Sequence, residues 1–169
     1  MTCDPAPRYT PASSLFLPPT QSSMPAIYEL PIQVALEDID PLGHVNNVTY
    51  LQWMQSAALA HSAAQGWPHE AYVLLGAGWV VRSHTIEYLQ PAYSGDSVVV
   101  VTWVADMKKV TSLRRYRIVR RTLRETGPHE ALLATASTDW AFVDFNSRLP
   151  RRISPEVSRS FEIVDHPVS

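Results

Sequence analysis

The stretch Asn46-Asn47-Val48-Thr49-Tyr50-Leu51-Gln52-Trp53-Met54-Gln55-Ser56-Ala57-Ala58-Leu59-Ala60-His61-Ser62-Ala63-Ala64-Gln65-Gly66 decides the fold of this chain. It contains no Asp, Glu, Lys or Arg. Asn46 is a good N-cap, because its side chain can accept from the unpaired N–H groups of a first helical turn. Gly66 is placed to end the helix, so the spacing predicts one from about Asn47 to Gln65. A helix that is apolar or small nearly all round is buried on most sides. This one is too short and too polar to span a bilayer.

Upstream, residues 28 to 37 read as a strand, with Ile32, Val34 and Leu36 alternating with Gln33, Ala35 and Glu37. Downstream, strand-like stretches run roughly over 78–90, 97–107, 111–123 and 131–144. Pro91 with Gly95-Asp96 marks one turn and Gly127-Pro128 another. One strand, one long buried helix and four strands pack most economically as a single antiparallel sheet wrapped around the helix, an α+β fold.

The 169 residues fit one domain, expected over 26–169. Residues 1–25 hold six of the fourteen prolines and read as a flexible tail, too poor in apolar surface to offset its ordering entropy. The formal net charge is -2, which argues against nucleic acid as a partner. Basic residues do cluster locally, at Lys108-Lys109, Arg114-Arg115, Arg117, Arg120-Arg121 and Arg148 to Arg152, a pattern suited to a small anionic ligand. One cysteine, Cys3, excludes a disulfide framework and a cysteine-rich zinc site. No apolar run is long enough for a membrane span or a signal peptide, so a cytoplasmic location is expected.

Between the first strand and the helix lies Asp38-Ile39-Asp40-Pro41-Leu42-Gly43-His44-Val45. With Asn46, Asn47 and Tyr50 it resembles the signature of the 4-hydroxybenzoyl-CoA thioesterase family. A weaker match lies at Ile86-Glu87-Tyr88-Leu89-Gln90-Pro91-Ala92 with Gly95-Asp96. The resemblance covers about residues 28 to 155. It implies the hotdog fold and hydrolysis of an acyl-CoA to a free acid and coenzyme A, with no cofactor. It also implies a homodimer or homotetramer with active sites at the subunit interface. A lone sheet of this kind leaves an exposed edge and an incompletely covered helix face.

The chemistry is consistent with these residues. A thiolate leaves without much help from a proton donor. Thioester hydrolysis therefore needs a carboxylate that attacks or activates water, and donors aimed at the developing oxyanion. A helix start offers unpaired N–H groups at its positive end. By the resemblance, Asp40 is the catalytic carboxylate, as nucleophile or general base, and the Asn47 N–H polarises the carbonyl. The helix has no acid to serve instead. Asp38 is expected to bond loop N–H groups. His44 either orients the substrate or Asp40, or bonds loop to helix. Asn46 is expected to cap rather than to touch a ligand. Tyr50 either lines the acyl pocket or, like Trp53, packs in the core. Arg114, Arg115, Arg151 and Arg152 are candidates for the coenzyme A phosphates, against the default of solvated strand faces.

Other readings are weaker. A calcium loop is excluded by Leu42 and Thr49 at ligand positions, and Asp38, Asp40 and His44 lack a further metal ligand. A hotdog hydratase or dehydratase would carry Asp-x-Asn-Pro-x-His, one residue shorter than the segment here. A non-catalytic acyl-CoA or acyl-carrier binding module would not need the intact acid and helix start. Many family members carry Glu and then Arg one turn into the helix, where this chain has Gln55 and Ala58.

Overall fold

The predicted helix forms as α1, Asn47–Ala64. In the computed structural model, which describes residues 25–165, the Asn46 carboxamide accepts from the Val48 N–H at 2.9 Å. Gly66, at φ +84°, ends the helix in the left-handed region. Tyr50, Trp53, Met54, Ala57 and His61 are buried, whereas Val48, Gln52, Gln55, Leu59 and Ala63 are exposed. Burial was expected on most sides; within one chain it is confined to one face. The other face is uncharged and bare.

The strands are β1 (Ile27–Gln33), β2 (Ala77–Tyr88), β3 (Ser97–Met107), β4 (Thr111–Arg124) and β5 (Gly127–Asp144). They form one sheet in the order β1-β3-β4-β5-β2, antiparallel throughout. This is the expected sheet around a helix. Strands β1 and β2 are its two edges, and β1 carries Pro31, which is tolerated at an edge because the residue lacks an N–H.

Three details differ from the sequence reading. The first strand stops at Gln33 because Leu36–Asp38 closes a 3₁₀ turn, with the Asp38 carboxylate accepting from the Ala35 N–H at 3.0 Å. Strand β5 starts at Gly127, since β4 and β5 pair all the way to their hairpin turn. Two short helices, α2 (His69–Leu75) and α3 (Pro155–Arg159), were not anticipated.

Along β3, Val98, Val100, Thr102 and Val104 are buried, the first two in a core shared with Tyr50, Trp53, Met54, Tyr116, Ile118 and Leu133. Their alternates Val99, Val101 and Trp103 are buried too, in a second cluster. Near that stripe Arg121 makes a bidentate pair with Glu29 at 2.6 and 2.7 Å and also bonds Glu130.

The tail expected over 1–25 lies outside the described residues except at Pro25. The Pro25 carbonyl accepts from His61 Nε2 at 2.8 Å and Gln65 Nε2 at 2.6 Å. Among the described residues no helix is long and apolar enough to cross a membrane.

Candidate active site

The loop from Asp38 to Asn46 is folded back on itself. Ile39 and Val45 form an isolated antiparallel bridge. The Asp40 N–H donates to the His44 carbonyl at 2.9 Å, and the Gly43 N–H returns to the Asp40 carbonyl at 3.0 Å. Gly43 makes this turn possible, with φ at +84°. The Asn46 N–H donates to the Asp38 carbonyl at 2.8 Å. These bonds hold the Asp40 turn against the start of α1.

Asp40 Oδ1 accepts from the Leu42 N–H at 2.8 Å. His44 Nδ1 stands 3.4 Å from Asp40 Oδ2 and 3.4 Å from the Val45 carbonyl. Both neighbours are acceptors, so Nδ1 bonds either of them only as a donor. The Asp40 side chain is 17% accessible, covered but reachable. Asp38 is spent on the 3₁₀ turn, as expected of a loop acid.

At the helix start the donors are unequally used. Asn46 takes the Val48 N–H with its side chain and the Thr49 N–H, at 2.9 Å, with its carbonyl. Among the described residues nothing accepts from the Asn47 N–H. It is an open donor at the positive end of an eighteen-residue helix.

The structure also gives the weaker second motif a part that sequence reasoning missed. The Ala92 carbonyl accepts from the Val45 N–H at 2.9 Å, and the Ala92 N–H is directed at the Tyr50 hydroxyl oxygen. The Tyr88 hydroxyl donates to the Asn47 carbonyl at 3.2 Å. Tyr88 and Ala92 thus clamp the loop-helix junction from β2 and the turn after it. The motif itself was visible in the sequence, but no local pattern says what it touches.

Tyr50 is buried in the core, edge-on to Tyr88 at 5.2 Å and tilted against Trp53 at 5.1 Å. Within one chain its ring belongs to the packing, and burial raises the pKa of its hydroxyl. Arg114 and Arg115 are neighbours on β4 and face opposite sides of the sheet, so they cannot share one phosphate. Arg114 is buried on the helix side, donating through Nη1 to His61 Nδ1 at 2.8 Å and to Thr102 Oγ1 at 3.3 Å. Arg151 donates to Asp144 at 3.3 Å and to the Leu75 carbonyl at 3.2 Å. Arg152 borders a surface hollow of about 460 Å³ together with Lys108 and Lys109. Among the described residues no three His, Cys, Asp or Glu side chains are gathered to hold a metal ion.

Residues 34–161 match the model of the thioesterase-like superfamily. The chain belongs to that superfamily. A curated relative, the acyl-CoA thioesterase YbgC of Haemophilus influenzae, is 26% identical over 135 residues, which cover 79% of this chain and 93% of that one. A 1,4-dihydroxy-2-naphthoyl-CoA thioesterase of Synechocystis superposes with a TM-score of 0.70 at 20% identity, covering 83% of this chain and 99% of that one. A variant of 4-hydroxybenzoyl-CoA thioesterase, solved with 4-hydroxybenzoyl-CoA, superposes with a TM-score of 0.73 at 17% identity, covering 82% and 100%. The fold of this superfamily member is the hotdog fold.

Proposed function

We propose that this thioesterase-superfamily chain hydrolyses an acyl-CoA to a free carboxylic acid and coenzyme A, using Asp40 as nucleophile or general base. The observation that carries the reading is the open Asn47 N–H beside a covered but reachable carboxylate. The thioester carbonyl oxygen accepts from that N–H, whose pull strengthens as negative charge builds on the oxygen. Asp40 either attacks the carbonyl carbon, expelling the coenzyme A thiolate and leaving a mixed anhydride that water opens, or takes a proton from the attacking water. His44 holds the second carboxylate oxygen in place.

The same reading makes the protein a dimer, or a dimer of dimers. Strand β2 is a twelve-residue free edge with Val80 and Val81 exposed, and the bare face of α1 lies beside the sheet. A two-fold axis across β2 runs the paired edges antiparallel. The Tyr88 end of one protomer, which clamps Asn47, then lies beside the opposite end of its partner's sheet. In each protomer that opposite end carries the hollow lined by Lys108, Lys109 and Arg152, the basic group best placed to receive coenzyme A phosphates. A cytoplasmic setting goes with this reading.

The test is thiol release from short, long and aromatic acyl-CoAs by the parent protein and by Asp40→Asn. The substitution should lower kcat by about a hundred- to ten-thousand-fold with an unchanged circular dichroism spectrum. Undiminished turnover in the variant would remove Asp40 from the chemistry.

A further inference from the structure

The second half of α1 covers a cavity of about 570 Å³ that shares no lining residue with the Asp40 loop. Ala58, on its wall, lies about 16 Å along the helix axis from Asn47 at 1.5 Å per residue. The cavity is a good size for a small-molecule ligand. Its walls are largely apolar, with Trp67, Trp79, Met107, Trp140, Phe145 and Phe161 among them.

One wall group is charged and buried: Arg114, only 6% exposed. Several other polar wall groups are paired, while Trp140 Nε1 is buried with no hydrogen-bond partner among the described residues. The Ser62 and Tyr72 hydroxyls are 2.9 Å apart, Trp79 Nε1 donates to the Tyr72 hydroxyl at 3.0 Å, and Trp67 Nε1 donates to Ser160 at 2.9 Å. Arg114 is different. Both of its bonds leave from Nη1 and both go to neutral groups, His61 and Thr102. No carboxylate pairs with it among the described residues. Nη2 and Nε make no hydrogen bond among the described residues, and Arg114 lines the cavity. His61 cannot supply the missing anion; burial and the adjacent guanidinium lower its pKa to about 4, so it is a neutral acceptor. Holding a guanidinium out of water without a counter-charge is unfavourable. A guanidinium fork on the wall of an aromatic-lined cavity matches the two oxygens of a carboxylate.

We propose that this cavity binds a carboxylate carried on an apolar body, with the Arg114 guanidinium as the anion receptor and the aromatic walls holding the body. Two sources supply that chemistry. One is a free carboxylic acid. The other is the far end of a dicarboxylic acyl group whose thioester lies at an Asp40 loop. Only the second source rests on the proposed function.

Binding is read by tryptophan fluorescence and by thermal shift on the full-length protein carrying Asp40→Asn, so that turnover plays no part. Octanoate and hydrocinnamate are each compared with their primary amides. The acids should bind about tenfold or more tightly than the amides, because the amide cannot offer the charge. Arg114→Met should bring each acid and its amide to within about twofold, and Arg114→Lys should keep part of the preference. The source is then read from kcat/KM of the parent protein for the half-thioester of octanedioic acid against octanoyl-CoA. A preference for the half-thioester that Arg114→Met abolishes assigns the acyl group; acid binding without that preference assigns the free acid. No binding, equal binding of acid and amide, or an acid preference that survives Arg114→Met overturns the proposal. A partner subunit's side chain seated in the cavity would appear as the first of these. The acid-to-amide comparison on unsubstituted Arg114 stands even if Arg114→Met does not fold.

Discussion

Asn46 does two things at once. Its side chain and carbonyl take the Val48 and Thr49 N–H groups, and by doing so they leave the Asn47 N–H as the open donor. Asn46→Ala should cost about 1 kcal/mol in a urea titration through the lost cap. It should also lower kcat more than it raises KM, because a frayed first turn offers the oxyanion a misplaced donor. Asn46→Ser or Asn46→Asp, which cap equally well, should restore both. If kcat is unchanged in a destabilised Asn46→Ala protein, the helix start is not the carbonyl's partner. The capping by Asn46 and the loop bond of Asp38 were legible in the sequence because their interactions are local, whereas Asp40 was singled out by the family resemblance. Asn46 caps the turn that follows it, Asp38 bonds a residue three positions back, and Asp40 sits in its own turn. The Arg114–His61 pair was not legible, since the two residues are fifty-three positions apart and are brought together only by how α1 lies across the sheet.

Among the elements, α1 was readable from its Asn46 cap, its terminating Gly66 and its uncharged composition, and the four later strands from their β-forming runs between turn residues. The seven residues of α2 and the five of α3 are too few to show a period. α1 also carries a pH dependence. The His61 pKa is lowered to about 4 from an ordinary 6.5, first by burial and then by the Arg114 charge, while the hydrogen bond to the Pro25 carbonyl opposes the shift. Below pH 6.5 the unfolded chain takes up a proton that the folded chain refuses. His61 therefore makes stability fall as pH drops from about 6.5 toward 4, by about 2–3 kcal/mol at most, and adds no pH dependence above that window. Urea midpoints measured across this range should show the slope in the parent protein and lose it in His61→Gln. An equal slope in both would mean that other groups set the acid sensitivity.

At the scale of the whole molecule, a single sheet around the helix and a helix face left incompletely covered by one chain followed from the element order, but the strand order β1-β3-β4-β5-β2 did not. The acid-free composition reads as burial on most sides, and a single chain supplies it on one face. The remainder is the surface assigned to a second copy. Leu59→Lys, on that face and 57% exposed, should leave the single chain's stability within about 0.5 kcal/mol and shift sedimentation from dimer toward monomer. If the catalytic site is shared between subunits, thiol release should fall with the dimer fraction and recover at high protein concentration. A Leu59→Lys protein that sediments as the parent does would place the interface elsewhere.

The two edges of the sheet are not equivalent. β2 runs for twelve residues with Val80 and Val81 exposed, whereas β1 has seven residues and is interrupted by Pro31. A strand that lacks an N–H is a poor template for another chain. Once two copies have joined along β2, only the proline-bearing edges remain at the ends of the combined sheet. Edge-to-edge polymerisation into fibres then has nowhere to start, and replacing Pro31 with a β-branched residue is the change that would give it a place.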